Sequence, residues 1–418
     1  MIQIKDKSKC CGCRACVQIC PKHCITFVSD DEGFSYPSVN IDICVDCGLC
    51  EKTCPELNLQ PIRTPLRVLA AINKSEETRK ESSSGGVFSL FAEEIIKEGG
   101  VVFGACFDQD WNVIHTYEET LDGIKKFQKS KYVQSNIGDS YKEAKRFLNE
   151  NRKVLFSGTP CQISGLKKYL GKEYDNLLTI DFVCHGVPSP MVWKDYLNEV
   201  LSPQDCAGKN TVSLSLSEMP TIKCISFRDK TTGWEKFGFV VRVNSASKAD
   251  KNSVLSSYNT KDTILIHERL DVNQYMRTFL SNIDLRVSCY SCTFKRGRSG
   301  ADVTIADFWG VQLFHPRFND NKGTSLIMVY TDKGYAITDR IPLIYEESSL
   351  KKAVRCNSAI VRSHHVHPNR HIFFKHYHTK ESKIQWMKEC ESVNVLQSIK
   401  MKFQNLTDRI ISKIQYLL

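Results

Sequence analysis

Apolar residues recur along this chain in two rhythms, and the changes between them mark its organisation. After Ser82-Ser83-Ser84-Gly85-Gly86, the residues Val87, Leu90, Phe91 and Ile95 fall at helical spacing. That run stops at Gly99-Gly100, as a helix should. Val101 to Phe107 then reads as a buried strand. Lys153 to Ser157, a helical 161–170 and Leu177 to Val183 repeat the β-α-β order of a parallel or mixed sheet. Residues 222–243 read as antiparallel strands instead, around the turn Asp229-Lys230-Thr231-Thr232-Gly233. Near the end, Leu396, Ile399, Phe403, Leu406, Ile410, Ile414 and Leu417 return at helical intervals, interleaved with Lys400, Lys402, Arg409 and Lys413. That is a basic amphipathic helix.

Pro55, Pro61 and Pro65 break the pattern early and read as a linker. The expected division is a small Cys-rich domain over 1–60, a larger mixed α/β domain over 66–380 and a helical tail over 381–418. The larger domain splits further into 66–150 and 151–380. The fold class is therefore α+β followed by α/β.

Composition narrows the function. The 418 residues are 41% hydrophobic and 25% charged, which excludes a mainly disordered or collagen-like chain. No stretch reaches the length of a membrane span, and Met1 to Lys9 has no signal-peptide core, so a cytoplasmic protein is expected. Two values stand out: 19 cysteines and a net charge of +10. The cysteine count is odd and the chain long, so a disulfide-stapled secreted domain is a poor reading. Ten of the cysteines lie in the first 54 residues, whereas 13 Lys/Arg against 4 Asp/Glu, and six of the 11 histidines, lie from Lys351 onward.

The cysteine spacing is specific. Cys10-x2-Cys13-x2-Cys16-x3-Cys20-Pro21 recurs 34 residues later as Cys44-x2-Cys47-x2-Cys50-x3-Cys54-Pro55. Three thiolates of such a run close on one iron–sulfur cube while the fourth reaches the other. One 4Fe–4S cluster should take Cys10, Cys13, Cys16 and Cys54; the second should take Cys44, Cys47, Cys50 and Cys20. Zinc knuckles are the alternative, but zinc motifs do not need the closing x3-Cys-Pro. Cys11 and Cys24 do not fit the pattern and read as small buried residues. Over roughly residues 5–58 the segment resembles bacterial two-cluster ferredoxins.

Further along, Cys161 in Gly158-Thr159-Pro160-Cys161 and Cys184 in Val183-Cys184-His185-Gly186 both stand at the carboxyl ends of strands, where open α/β sheets place their sites. Cys289-x2-Cys292 offers two more thiolates. Spacing alone leaves a third cluster open against two ordinary buried cysteines.

From about residue 66 to 375 the chain resembles the coenzyme F420 hydrogenase/dehydrogenase beta-subunit family. The resemblance is carried by Ser83-Ser84-Gly85-Gly86-Val87-Phe88, Lys131-Tyr132-Val133-Gln134-Ser135, Gly158-Thr159-Pro160-Cys161-Gln162 and Cys184-His185-Gly186-Val187-Pro188. Cys289-Tyr290-Ser291-Cys292 and Ala301-Asp302-Val303 through Asp307-Phe308-Trp309-Gly310 continue it. The resemblance implies FAD and one further 4Fe–4S cluster, ligated by Cys161, Cys184, Cys289 and Cys292.

Flavin contacts are expected from Ser84, Gly85, Gly86, Lys131, Tyr132, Gly158, Thr159, Pro160, Gln162, His185 and Gly186. Bare amides of Ser84-Gly85-Gly86 at a helix start suit a diphosphate, although Gly85-Gly86 could simply cap the helix. No Gly-x-Gly-x-x-Gly fingerprint supports a nicotinamide fold. His185, Asp302 and Asp307 are the candidates for moving a proton near the flavin. The plainer readings are a backbone hydrogen bond for His185 and a turn cap for Asp307.

Three functions compete. One is a ferredoxin-dependent flavin reductase of a small or glycan-linked substrate. Another is a coenzyme F420 oxidoreductase, alone or as a subunit, and the last is an electron-transfer subunit. A ferredoxin or similar low-potential donor is the expected partner. The basic tail suits packing on its own domain or a second subunit, with peripheral contact to an anionic membrane as the alternative. No nucleic-acid module is recognisable. Segment Ser363-His364-His365-Val366-His367 resembles a metal tract, but reads better as a surface or flavin-proximal loop.

Overall fold

The computed structural model describes residues 1–202, 221–244 and 262–393, together with residues 397, 399, 403, 404 and 407. Those last five are helical; the rest of the amphipathic helix expected over 396–417 lies outside the described residues.

The first 60 residues fold as two similar halves. Each half carries a one-turn helix, Ala15–Ile19 and Leu49–Thr53, entered through a residue in the left-handed region (Arg14, φ 61°; Gly48, φ 72°) and left through Cys20 or Cys54 in extended conformation. This shared geometry swings the fourth cysteine of each run away from the other three. Strands β1 (Ile25–Ser29) and β2 (Ser35–Val39) pair antiparallel beneath them.

The body is built on β3 (Arg67–Asn73), β4 (Val101–Phe107), β5 (Val113–Glu118), β6 (Val154–Gly158), β7 (Leu177–Phe182), β11 (Val303–Asp307), β12 (Ser325–Val329) and β13 (Leu343–Glu347). Their order is β13-β3-β12-β11-β7-β6-β4-β5. Four neighbouring strands, β11, β7, β6 and β4, run parallel and every other neighbouring pair is antiparallel, so the sheet is mixed. The helices Val87–Lys97 and Pro160–Leu170 bury Val87, Leu90, Phe91, Ile95, Ile163 and Leu166 in its core. A second sheet, β8 (Ile222–Asp229), β9 (Gly238–Asn244) and β10 (Asp262–Arg269), is antiparallel throughout. It closes an aromatic core with Trp193, Phe227, Phe239 and Tyr275. The helix Lys383–Glu391, at the start of the expected tail, buries Trp386, Met387 and Cys390 in that same core.

The two-cluster unit is docked firmly. Phe34 and Tyr36 join the aromatic core, and Cys11, Cys13 and Ala15 join the core around the helix Pro160–Leu170. Glu32 receives a fork from Arg370 at 2.9 and 2.5 Å. Gln18 accepts from the Tyr141 and Lys142 amides at 3.1 Å. The expected linker is tied down as well: Arg63 donates to the Gly297 and Ala301 carbonyls at 2.9 and 2.6 Å.

Candidate functional site

The ferredoxin-type cysteines line two hollows. Cys20, Cys24, Cys44, Cys47 and Cys50 line one; Cys10, Cys11, Cys13, Cys16 and Cys54 line another. Each hollow gathers one of the two expected sets together with a fifth cysteine, Cys24 or Cys11. Among the described residues, no three Cys, His, Asp or Glu side chains converge as ligands of a single ion would. A tetrahedral zinc draws its sulfurs to about 2.3 Å, whereas sulfurs spread around a hollow suit a multi-atom cube. The outer set reaches solvent, with Cys47 exposed, while Cys10, Cys13 and Cys16 are buried. Cys24 lies beside the outer set, its sulfur 3.4 Å from that of Cys20.

A third set of thiols gathers at the carboxyl edge of the parallel strands. Cys161 opens the helix after β6, Cys184 follows β7, and Cys289 and Cys292 lie on and after the short turn Val287–Ser291. Burial pushes Cys184 up to about 12 and Cys292 up to about 11, and Cys161 lies electrostatically close to Cys184, Cys289 and Cys292. Thiols so close together and half-buried ionise together only where a cationic centre compensates them, which iron does. The fit to a cluster is therefore good. Gly186 (φ 155°) permits the approach: a Cβ there would meet Leu285 at 2.7 Å and the Cys289 Cβ at 3.3 Å. Lys295 donates to the Cys184 carbonyl at 2.5 Å and brings a positive charge to the group. Cys11 stands between the inner ferredoxin set and this one, its thiol in contact with Cys13 and Cys161.

His185 donates from Nε2 to Asn282 Oδ1 at 2.6 Å, a side-chain partner in place of the expected backbone one. Its ring stacks on His364 with centroids 3.8 Å apart. Burial pushes His185 down to about 4 and His364 to about 3, so both rings are neutral at neutral pH. His364 brings the His-rich tract to this edge.

The two aspartates sit at opposite ends of β11. Asp302 is buried and accepts from Thr179 N, Thr179 Oγ1 and Thr331 Oγ1 at 2.7, 2.6 and 2.8 Å. Asp307 pairs with the buried Arg228 and accepts from Trp234 Nε1 at 2.8 Å. Both carboxylates are engaged by the chain itself, which leaves neither free to face a substrate.

The Ser82–Gly86 turn also departs from its expected form. Gly85 N is not bare: it donates to Ser325 Oγ at 3.0 Å, and Ser84 Oγ donates to the Thr324 carbonyl at 3.0 Å. The cationic surroundings lie elsewhere. Ser130 N donates to Ser83 Oγ at 2.8 Å, which brings Lys129 and Lys131 to the turn. From the other side Lys230 donates to the Ser84, Lys322 and Arg79 carbonyls. Lys131 Nζ reaches only the carbonyls of Lys126 and Gln128, both at 2.7 Å. No carboxylate pairs with Lys131 or Lys230 among the described residues, and burial pushes both down to about 7. Half-buried ammonium groups without a counter-charge are costly. A bound diphosphate would supply the missing charge, so the donor set fits FAD.

Tyr132 stacks on Phe279 (4.7 Å). Thr159 and Gln162 form the capping box of the helix Pro160–Leu170, with Gln162 bonded on to Ser135 Oγ at 2.8 Å. Gly158 and Pro160 flank that cap. Arg228 and Lys295 carry no motif in the sequence, Lys230 shows there only as part of a turn, and His364 only as part of the His-rich tract. Only the fold brings them in.

Two ferredoxin-type cysteine sets, a thiol group at a sheet's carboxyl edge and a turn flanked by lysines define an iron–sulfur oxidoreductase. Comparison with known proteins makes this specific. Residues 151–343 match the family described as the C terminus of the coenzyme F420 hydrogenase/dehydrogenase beta subunit, and residues 9–57 match a 4Fe–4S dicluster domain. The chain is 27% identical over 203 residues to the coenzyme F420-dependent sulfite reductase of Methanocaldococcus jannaschii, covering 47% of this chain and 30% of that protein. It is 37% identical over 51 residues to Ferredoxin-1 of Caulobacter vibrioides, covering 12% and 41%. The chain thus spans less than half the length of either. A chain of the F420-reducing NiFe hydrogenase complex from Methanosarcina barkeri aligns over 78% of this chain and 91% of its own, at 15% identity and a TM-score of 0.41. Among the described residues no helix is long and apolar enough to cross a membrane.

Proposed function

We propose that this chain is an iron–sulfur flavoprotein that exchanges electrons with coenzyme F420, a low-potential ferredoxin-like carrier meeting it at the outer cluster. The observation that supports this most is the match of residues 151–343 to a family described by that coenzyme. The unpaired Lys131 and Lys230 beside the Ser82–Gly86 turn support a bound FAD. On this reading Lys131, Lys230 and the turn hold the diphosphate, and Cys161, Cys184, Cys289 and Cys292 hold the third cluster. FAD, when bound, exchanges single electrons with clusters and electron pairs with organic substrates.

The two histidine rings at that edge add no charge to the one Lys295 brings. His185 and His364 stack without charge, and Asn282 fixes the His185 tautomer. A neutral His185 carries its proton on Nε2, toward Asn282, and keeps Nδ1 as an acceptor.

The test is anaerobic mixing of purified holoprotein with reduced F420. Growth of oxidised F420 absorbance together with bleaching of the flavin supports the assignment. No change in either, from a protein that artificial dyes reduce normally, removes F420. The fused dicluster domain favours a second reading, in which ferredoxin electrons reduce a small or glycan-linked substrate. Substrate turnover driven by reduced ferredoxin without F420 would select it.

A further inference from the structure

Arg286, like Arg370, is a cation buried at the junction between the dicluster unit and the body. Its side chain is 1% exposed. Nε donates to the Cys10 carbonyl at 2.8 Å, and Nη2 lies 3.6 Å from the Cys10 sulfur and 3.0 Å from the Ser35 carbonyl. Nη1 donates to Gln134 Oε1 at 3.2 Å. The guanidinium lies over the Tyr36 ring, 4.2 Å from its centroid. No carboxylate pairs with it among the described residues, so its charge is spent on the Cys10 side of the inner set.

The two sets are unequal in this respect. Lys9, Arg14 and Glu56 also line the inner hollow, so with Arg286 its surroundings are net positive. The outer hollow has Lys22, Asp46 and the Met1 ammonium, which pairs with Asp46 at 2.8 Å and Glu51 at 3.4 Å, so the two cations and two carboxylates offset one another. Its sulfur contacts come from neutral groups: Ile2 N to Cys50 at 3.3 Å, and Cys24 beside Cys20. Donors and cations at cluster sulfurs stabilise the reduced, more negative form and raise the potential.

We propose that Arg286 is a positioning residue for electron flow, holding the inner cluster (Cys10, Cys13, Cys16, Cys54) at a higher potential than the outer one. One electron leaves the outer cluster and one arrives at the inner; no bond or proton moves. The direction is inward, toward Cys11 and Cys161. This rests on the two-cluster assignment and not on the identity of the final acceptor, so failure with F420 leaves it standing.

The experiment is an EPR-monitored redox titration of full-length holoprotein. Arg286→Gln should lower one of the two dicluster midpoints by tenfold or more in the reduction equilibrium, about 59 mV for one electron. The other midpoint should stay in place. Arg286→Lys, which keeps the charge, should return the shifted midpoint to within threefold of wild type. Gln134→Glu is the second perturbation: it keeps the guanidinium and sets a carboxylate against it, and the same midpoint should fall. If Arg286→Gln loses iron, Gln134→Glu decides the matter. Unchanged midpoints in a fully loaded Arg286→Gln or Gln134→Glu protein, or equal shifts in both clusters, overturn the proposal.

Discussion

Replacing Asp302 separates a carboxylate that holds the sheet from one that handles protons. Three donors reach this buried group, at 2.7, 2.6 and 2.8 Å. A hydrogen bond to an ionised acceptor is worth about 1.5–3 kcal/mol, and a buried donor left unmade costs about 1–3 kcal/mol. Asp302→Ala removes all three bonds and strands the Thr179 amide inside β7; with partial relaxation about 4 kcal/mol should be lost. Asp302→Asn keeps an acceptor for Thr179 and can donate to the Thr331 hydroxyl, so about 1–2 kcal/mol is expected. Unfolding entropy near 2.1 cal/mol/K per residue gives about 0.9 kcal/mol/K for a chain of this length. The melting temperature should fall by about 4–5 °C for alanine and about 1–2 °C for asparagine. Anaerobic thermal melts at one fixed scan rate make the comparison, because cluster loss renders unfolding irreversible. Substrate reduction is followed in parallel and should be retained at 25 °C. Wild-type melting with collapsed turnover in Asp302→Asn would refute this reasoning and return Asp302 to proton chemistry.

Other consequences are equally direct. Cys289→Ser should drop iron from about twelve to about eight per chain while both dicluster EPR signals persist; retention of all twelve would remove Cys289 as a ligand. Lys131→Met should weaken FAD binding by roughly 10–100-fold, the worth of one charge-assisted bond, read by flavin fluorescence on reconstitution. His115 is held down at about 4 by burial, so the unfolded chain takes up its proton near pH 6.5 where the folded chain does not. Its contribution is full above pH 6.5 and drains as pH falls toward 4, by at most about 3 kcal/mol. His115→Phe should therefore lose less stability than wild type between pH 7 and 4.5 in matched melts; parallel curves would count against it.

Local chemistry was legible in the sequence wherever neighbours in the chain carry it. The crossed cysteine sets follow from a repeat, and the helix Val87–Lys97 and strand β4 follow from spacing and a Gly-Gly stop. What escaped depends on partners far apart in the chain. The bare-amide reading of Gly85 failed because Ser325, 240 residues away, arrives on β12 and takes the amide. Arg286 meets Cys10 across 276 residues, and one arginine among many has no signature. Asp302 and Asp307 share a motif with the family yet serve the sheet edge and an arginine. A motif match carries residue identity, not which way the carboxylate faces. Lys230 was visible only as part of a turn.

The tethering of residues 58–65 has a kinetic meaning. Many chains with a carrier module let it swing between donor and acceptor, and their turnover slows as the solvent thickens. Here Arg63 is bonded into the body at Gly297 and Ala301, and Glu32, Gln18 and the inner cysteines are locked from other sides. On the proposed path from the outer cysteines to Cys161, nothing needs to move. Passage inside the chain is then governed by fixed distance and driving force. Glycerol or sucrose should slow the encounter with an external carrier but leave the internal step untouched.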